Sequence, residues 1–228
     1  MTGAIAVIPA RGGSKRIPRK NIKDFRGRPA MGWPISVASA SGLFERIIVS
    51  TEDLEIAEVA VQQGAEVPFF RPAGLADDHT GTTDVIRDAV RRLALSAEVP
   101  VCCIYPTALF LQEDDLRSGL ELLQGGARWV LAMAQYPTPI DRAYRRAGGL
   151  LVPRQPEKMP LRSQDLEPAY FDVGQFYFAR AATWLDESAR IWEGAEGVEI
   201  PLHRAVDIDT PGDWARAERM FAALGSEG

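Results

Sequence analysis

Ala4-Ile-Ala-Val-Ile8 runs directly into Pro9-Ala-Arg-Gly-Gly-Ser-Lys-Arg-Ile-Pro-Arg-Lys-Asn21, and the fold turns on this stretch. Its first part is a short β-branched run stopped by a proline, which reads as a buried strand. Its second part is a loop in which five basic residues, Arg11, Lys15, Arg16, Arg19 and Lys20, crowd around Gly12 and Gly13. Glycines let backbone N–H groups approach an anion closely, and Arg and Lys neutralise it. In an open α/β sheet, ligands bind beyond the carboxyl ends of the strands. Position and chemistry therefore agree on a polyphosphate site, against the plainer reading of a solvated basic turn. The loop is neither a Walker A sequence nor a G-x-G-x-x-G fingerprint, which argues against a P-loop ATPase and a dinucleotide dehydrogenase.

Outward from this loop, strand-like and helix-like segments alternate. A helix is expected from near Pro29, with Pro34 limiting its first part. Ile47 to Ser50 reads as a strand, Glu52 to Gln63 as a helix, and Glu66 to Phe70 as a third strand. The helix over 52–63 draws its apolar face from Leu54, Ile56, Ala57, Val59, Ala60 and Val61, with Gly64 as its stop. Thr82 to Leu95 is predicted helical, Val99 to Ile104 a buried strand, Asp114 to Leu123 a helix and Trp129 to Ala134 a strand. This rhythm implies an α/β fold, a mostly parallel sheet with helices on both faces. It breaks at 137–172, a proline-rich and charged excursion with a Gly148-Gly149 turn. It resumes with strands at Val173 to Ala179 and Ala205 to Ile208, then a helix from Pro211 to Leu224. One domain over 1–228 is the simplest organisation.

Composition is that of an ordinary globule: 46% hydrophobic and 25% charged residues leave room for a sizeable core. A formal net charge of −5 argues against a chain-wide nucleic-acid surface. No apolar run reaches the roughly 18–20 residues that span a bilayer, and Ala4 to Pro9 is too short for a signal-peptide core. A cytoplasmic protein without membrane or nucleic-acid partners is expected. The adjacent Cys102 and Cys103 would point to opposite faces of a strand and read as small buried apolar residues.

Three further constellations could carry chemistry. In Val206-Asp-Ile-Asp-Thr-Pro-Gly-Asp-Trp214, a strand would put Asp207 and Asp209 on one face. Two such carboxylates suit Mg²⁺, which prefers a few protein oxygens plus water and phosphate. The competing reading is a helix start, with Thr210 as N-cap and Pro211 at the first position. In Arg71-Pro-Ala-Gly-Leu-Ala-Asp-Asp-His-Thr-Gly-Thr82, hydroxyls could bond a base or sugar edge, or Thr80 or Thr82 could simply cap the helix. His79 and His203 lack partners in metal-motif spacing and read as surface histidines. In Arg162-Ser-Gln-Asp-Leu-Glu-Pro-Ala-Tyr-Phe-Asp-Val-Gly-Gln-Phe-Tyr177, Arg162 could clasp a carboxylate with two parallel bonds, or simply lie exposed.

Together these segments resemble the CMP-sugar synthetases, the cytidylyltransferases of acidic nine-carbon sugars. Ile8-Pro-Ala-Arg-Gly-Gly-Ser-Lys15 with Lys20-Asn21, Ile48-Val-Ser-Thr51, Arg71-Pro-Ala73 and Asp207-Ile-Asp-Thr210 stand in the family's order over nearly the whole chain. Cys102-Cys-Ile-Tyr105, Arg162 to Glu167 and Gly174-Gln-Phe-Tyr177 resemble the pseudaminate branch most. Tyr105-Pro-Thr-Ala-Leu-Phe-Leu111 departs from the Gln-Pro-Thr-Ser-Pro-Leu-Arg usual in N-acylneuraminate synthetases. Leu109 and Phe178 depart from the pseudaminate pattern, and a related diamino sugar such as a legionaminate stays an alternative.

The resemblance implies a Rossmann-like nucleotide-diphospho-sugar transferase fold whose excursion mediates homodimerisation. It implies CTP and an acidic nine-carbon sugar as substrates, with Mg²⁺ on Asp207 and Asp209. Gly12, Gly13 and the side chains of Arg11, Lys15 and Lys20 would meet the triphosphate, and Asn21 the nucleotide. Arg71 and Thr82, with Thr80 nearby, match the cytosine loop. Arg162, Tyr177, Tyr105 and Gln175 match positions around the sugar. Arg11, Lys20 and Asp209 would carry the chemistry. A synthetase for another acidic sugar and a non-catalytic nucleotide-binding regulator are the rival readings.

Overall fold

A computed structural model describes residues 3–77 and 80–224. Six strands form the central sheet: β1 (Ala4–Pro9), β4 (Phe44–Ser50), β5 (Pro100–Ile104), β6 (Trp129–Gln135), β9 (Tyr170–Arg180) and β10 (Ala195–Glu199). Their order is β10-β6-β9-β5-β1-β4. β1 runs parallel to β4 and β5, and β10 parallel to β6, whereas β9 is antiparallel to both its neighbours. The sheet is thus mainly parallel, as the alternating rhythm predicts.

The strand period of two sorts side chains onto the two faces. Ala6, Ile8, Cys102 and Ile104 join one core with helices α1 (Gly32–Ala40), α2 (Leu54–Gln62) and α4 (Glu113–Gln124). Ile5, Val7, Val101 and Cys103 join the other with α3 (Thr82–Arg92) and α5 (Ala181–Leu185). Cys102 and Cys103 are free, buried and on opposite faces, and burial pushes both thiols well up.

A third core matters most for the site. It gathers Ile17, Phe25, Phe110, Ile208 and Trp214 under α6 (Pro211–Leu224). The far end of the basic loop, the 201–208 segment and the last helix therefore pack as one body.

Several expectations need correction. Glu66–Phe70 is not a strand: the chain touches β4 only at the bridges Ile48–Glu66 and Thr51–Phe70. Pro68 stands between them and has no N–H to give a ladder. Ala205–Ile208 is not a strand either. Arg204 instead makes a buried bidentate ion pair with Asp115, at 2.5 and 2.9 Å, and anchors this segment to α4. The final strand is β10, an edge strand whose Gly197 and acidic residues hid its pattern. The short α5 was also missed.

Helix α1 begins at Gly32, because Arg28–Pro29 pairs as β3 with β2 (Asp24–Phe25). Leu54 and Val61 do not belong to the buried face of α2; they are 68% and 60% exposed. The excursion ends sooner than 172, since β9 starts at Tyr170, and it contains a hairpin of β7 (Tyr144–Ala147) and β8 (Leu150–Pro153) around Gly148-Gly149. Gly148 and Gly149 take φ of 58° and 82°, which glycine adopts without the clash a Cβ would bring.

Candidate active site

The carboxyl ends of β1 and β5 open into a polar cleft of about 270 Å³. Arg11, Lys15, Lys20 and Asn21 line it from the basic loop. Arg71 and Thr80 line it from the segment before α3, Thr82 from the first turn of α3, Tyr105 from just after β5, and Asp209 from the turn before α6. Nine of the expected residues thus meet in one place. Arg16, one of the five basic residues of the loop, also lines it, as do Ser14, Asp77 and Thr107, to which the sequence reading assigns no role. Ser14 and Arg16 lie in the quoted basic loop, so a signal existed; Thr107 carried none.

The basic loop is held from behind. Asn21 is buried, and its amide donates to the Arg11 carbonyl at 2.9 Å. Arg19, at φ 55°, turns away from the cleft and pairs with Asp53 and Glu55 on the α2 side. The Arg19 guanidinium in turn holds the Asp53 carboxyl below the usual carboxylate range. Five basic residues therefore divide into one tether and four cleft groups.

Gly12 does not act as expected. The Gly12 N–H donates to Glu52 Oε1 at 2.7 Å and is not turned to a phosphate. A Cβ on Gly12 would lie 2.5 Å from Asp53 Oδ2, so close packing on the β4–α2 turn demands glycine there. Gly13 is exposed, and neither glycine lines the cleft.

Asp209 accepts from Arg16 at 2.8 Å and lies 3.5 Å from Lys20, whose Nζ also donates to the Ile208 carbonyl at 2.6 Å. Asp207 lies outside the cleft lining. Withdrawal from solvent and then the charge on Asp209 raise its carboxyl above the ordinary value, with Lys20 opposing. The two carboxylates are close enough to repel, but through an irregular segment, not a shared strand face. Thr210 and Asp213 exchange bonds at the start of α6, as the cap reading of that motif required.

Neither Thr80 nor Thr82 caps α3, whose N-cap is Gly81. The Thr80 hydroxyl bonds Asp77 at 2.8 Å. Thr82 Oγ1 lies 2.9 Å from the Tyr105 hydroxyl. Burial, then the neighbouring Cys103, pushes that hydroxyl up to about 12, so Tyr105 serves as a neutral hydrogen-bonding group at ordinary pH. Its ring meets Tyr177 edge-on at 5.7 Å.

Three of the residues matched to the sugar do not reach the cleft lining. Tyr177 is buried, with its hydroxyl donating to Asp172 at 2.5 Å and its acidity suppressed by that burial. Gln175 is buried and donates to the Arg204 carbonyl at 2.8 Å. Arg162 sits in the excursion, 72% exposed, in an ion pair with Asp165. His79 lies outside the described residues, and His203 is exposed.

A basic, carboxylate-bearing cleft at the strand ends of a mainly parallel sheet defines a nucleotide-binding α/β protein. The family model described as "Cytidylyltransferase" matches residues 5–164, and the chain belongs to that family. It is a cytidylyltransferase. It is 38% identical over 221 residues to a pseudaminic acid cytidylyltransferase of Campylobacter jejuni, covering 95% of each chain. It is 31% identical over 227 residues to a CMP-N,N'-diacetyllegionaminic acid synthase of Legionella pneumophila, again covering 95% of each. A CMP:2-keto-3-deoxy-manno-octonic acid synthetase complexed with CTP shares the fold, with a TM-score of 0.70 over 98% of this chain and 100% of that one at 17% identity.

Proposed function

We propose that the enzyme joins CTP and pseudaminic acid to form CMP-pseudaminic acid and pyrophosphate. The observation that carries this reading is the meeting of Arg11, Lys15, Lys20 and Arg71 with Asp209 in one cleft. Arg11, Lys15 and Lys20 match a triphosphate, Arg71 stands on the base side, and the carboxylate gives the same cleft a group for activation. The choice of sugar rests on the full-length likeness to the Campylobacter enzyme. The likeness to the Legionella enzyme keeps N,N'-diacetyllegionaminic acid as the second reading.

In the reaction the anomeric hydroxyl oxygen of the sugar attacks the α-phosphorus. A new P–O bond forms, the bond to the β-phosphate bridge breaks, and pyrophosphate carries off the electron pair. Lys15, Lys20 and Arg11 stabilise the charge that builds on the leaving phosphates. Asp209 is placed to take the hydroxyl proton directly or through water. Arg71, Thr80 and Thr82 orient the base, with Tyr105 steadying Thr82.

The carboxylates suit a magnesium ion. Among the described residues no cluster of three or more His, Cys, Asp or Glu could hold a metal. Asp207 and Asp209 alone would leave most positions to water and phosphate, which is the habit of Mg²⁺. Desolvation and then the Asp209 charge raise Asp207, and a cation would relieve the repulsion between the two. When bound, the ion would orient the α-phosphate and offset its charge.

Among the described residues no helix is long and apolar enough to cross a membrane, and the reaction belongs in the cytoplasm, where CTP is made available. A homodimer is part of the proposal. Ile140, Tyr144, Leu150 and Leu151 are each exposed on the excursion, and apolar side chains left in water there would be covered by a second copy.

Pyrophosphate release with CTP, Mg²⁺ and a panel of acidic sugars tests the reading. Turnover is expected to be fastest with pseudaminic acid and abolished by excess EDTA. Faster turnover of N-acetylneuraminate or N,N'-diacetyllegionaminate would replace the sugar, and full activity in EDTA would remove the metal.

A further inference from the structure

Glu52 lies outside the cleft lining, yet both halves of the nucleotide site hang on it. Its Oε1 accepts the Gly12 N–H at 2.7 Å, directly after Arg11 in the basic loop. Its Oε2 accepts from Arg71 Nη2 at 2.7 Å. The Arg71 side chain is only 3% exposed, so its bond to Glu52 is an internal one. Backbone bonds from the same corner of β4 run both ways: Ala10 N–H to the Ser50 carbonyl at 3.0 Å, and Arg71 N–H to the Thr51 carbonyl at 2.8 Å. Asp53 adds the tether to Arg19.

We propose that Glu52 is a positioning residue that fixes the distance between the triphosphate half and the base half of the cleft. This rests on the reading of the cleft as a CTP site, with Arg11 on the phosphate side and Arg71 on the base side. A carboxylate is needed because both partners are donors and both its oxygens accept. A glutamine offers one oxygen and one NH₂, so one of the two donors must face another donor. With both oxygens engaged by Gly12 and Arg71, Glu52 is a tie and not a base for the reaction. The gain from such a tie appears only for a ligand that occupies both halves at once, because holding two subsites in register makes the second contact intramolecular.

That prediction separates Glu52 from a simple contact residue. Equilibrium binding of Mg-CTP, cytidine and Mg-tripolyphosphate is measured for wild type and Glu52→Gln. Loss of one charge-assisted bond in the tie should weaken Mg-CTP at least about tenfold. Cytidine alone and tripolyphosphate alone should each change less than about threefold. Gly12→Ala is the second variant. It leaves the Glu52–Arg71 pair in place and pushes the loop off Asp53, and the same split is expected. It decides the matter if Glu52→Gln does not fold. Unchanged Mg-CTP affinity overturns the proposal, as does a loss in one fragment equal to the loss in CTP. If wild type binds UTP or ATP as tightly as CTP, the reading of the cleft itself fails, an outcome visible before any variant is compared.

Discussion

The nucleotide cleft and the excursion between β6 and β9 are built by opposite means. In the cleft, long polar side chains are held by bonds from neighbouring elements: Arg71 by Glu52, Asn21 by the Arg11 carbonyl, Lys20 by the Ile208 carbonyl. Behind them, Ile17, Phe25 and Ile208 lock the loop and the Asp209 turn into one core. In the excursion, among the described residues, the Arg162 side chain bonds only its own turn through Asp165, and Leu150 and Leu151 stand 70% and 63% exposed. Side chains preorganised in this way do chemistry without further ordering. Apolar side chains left in water lack a surface to cover them. The difference teaches that one chain assembles the nucleotide half by itself, while the proposed homodimer would give the excursion a second copy to pack against.

Attacking the cleft should have the largest consequence. Asp209→Asn keeps the shape and removes the charge, so kcat should fall about 100-fold or more, the scale of a lost electrostatic contact to the transition state. Near-normal steady-state turnover would detach Asp209 from the chemistry.

Attacking the excursion should spare CTP. Leu150→Glu with Leu151→Glu puts charge on the proposed interface and should give a monomer by light scattering. CTP affinity should stay within about twofold of wild type while sugar turnover falls about tenfold or more, since only the second subunit's contribution is lost. A monomer with full activity would end the comparison. A smaller probe of the same region is Arg162→Lys. A guanidinium fork matches a carboxylate with two bonds that an ammonium does not copy. The KM for sugar should rise about tenfold and the KM for CTP should hold; the reverse pattern would place Arg162 on the phosphates.

The smallest effect concerns the tether. Arg19 holds the Asp53 carboxyl below its ordinary value. A lowered folded-state value stabilises the protein above the unfolded value, near pH 4, and that contribution is lost as pH falls through the folded one. Asp53→Asn should therefore lower stability at pH 7 and converge with wild type below about pH 3. Both partners are partly exposed, so the difference should stay under about 1 kcal/mol and shrink in salt. Urea unfolding across that pH range measures it.

What could be read beforehand follows the same division. The β1 run, four of the five basic residues and Asp209 carry their chemistry locally, so loop, strand end and cleft were legible, whereas Arg19's turn to Asp53 and Asp207's place outside the cleft were not. Residues whose roles depend on distant contacts were not. Glu52 looks like an ordinary first-turn acid until Gly12 and Arg71 arrive from 40 and 19 residues away. Gly12 looks like a phosphate glycine until Asp53 fills the space beside it. The strand expected at Ala205–Ile208 fails because the buried Arg204–Asp115 pair dictates the path of the chain, and β10 escaped because an edge strand needs little apolar pattern. Arg162 matched a sugar position by motif, but it pairs with Asp165 on the excursion and is not in the cleft lining.

Mixing two inactive homodimers tests the division most directly. Asp209→Asn damages the nucleotide half, and a charge-deleting Arg162→Ala damages the sugar half. If each site combines the cleft of one subunit with the excursion of the other, subunit exchange creates hybrid dimers with one intact site. Activity should then rise from near zero toward about a quarter of the wild-type value in an equimolar mixture. No recovery, with subunit exchange shown by mass, would place both halves in a single chain and contradict the account.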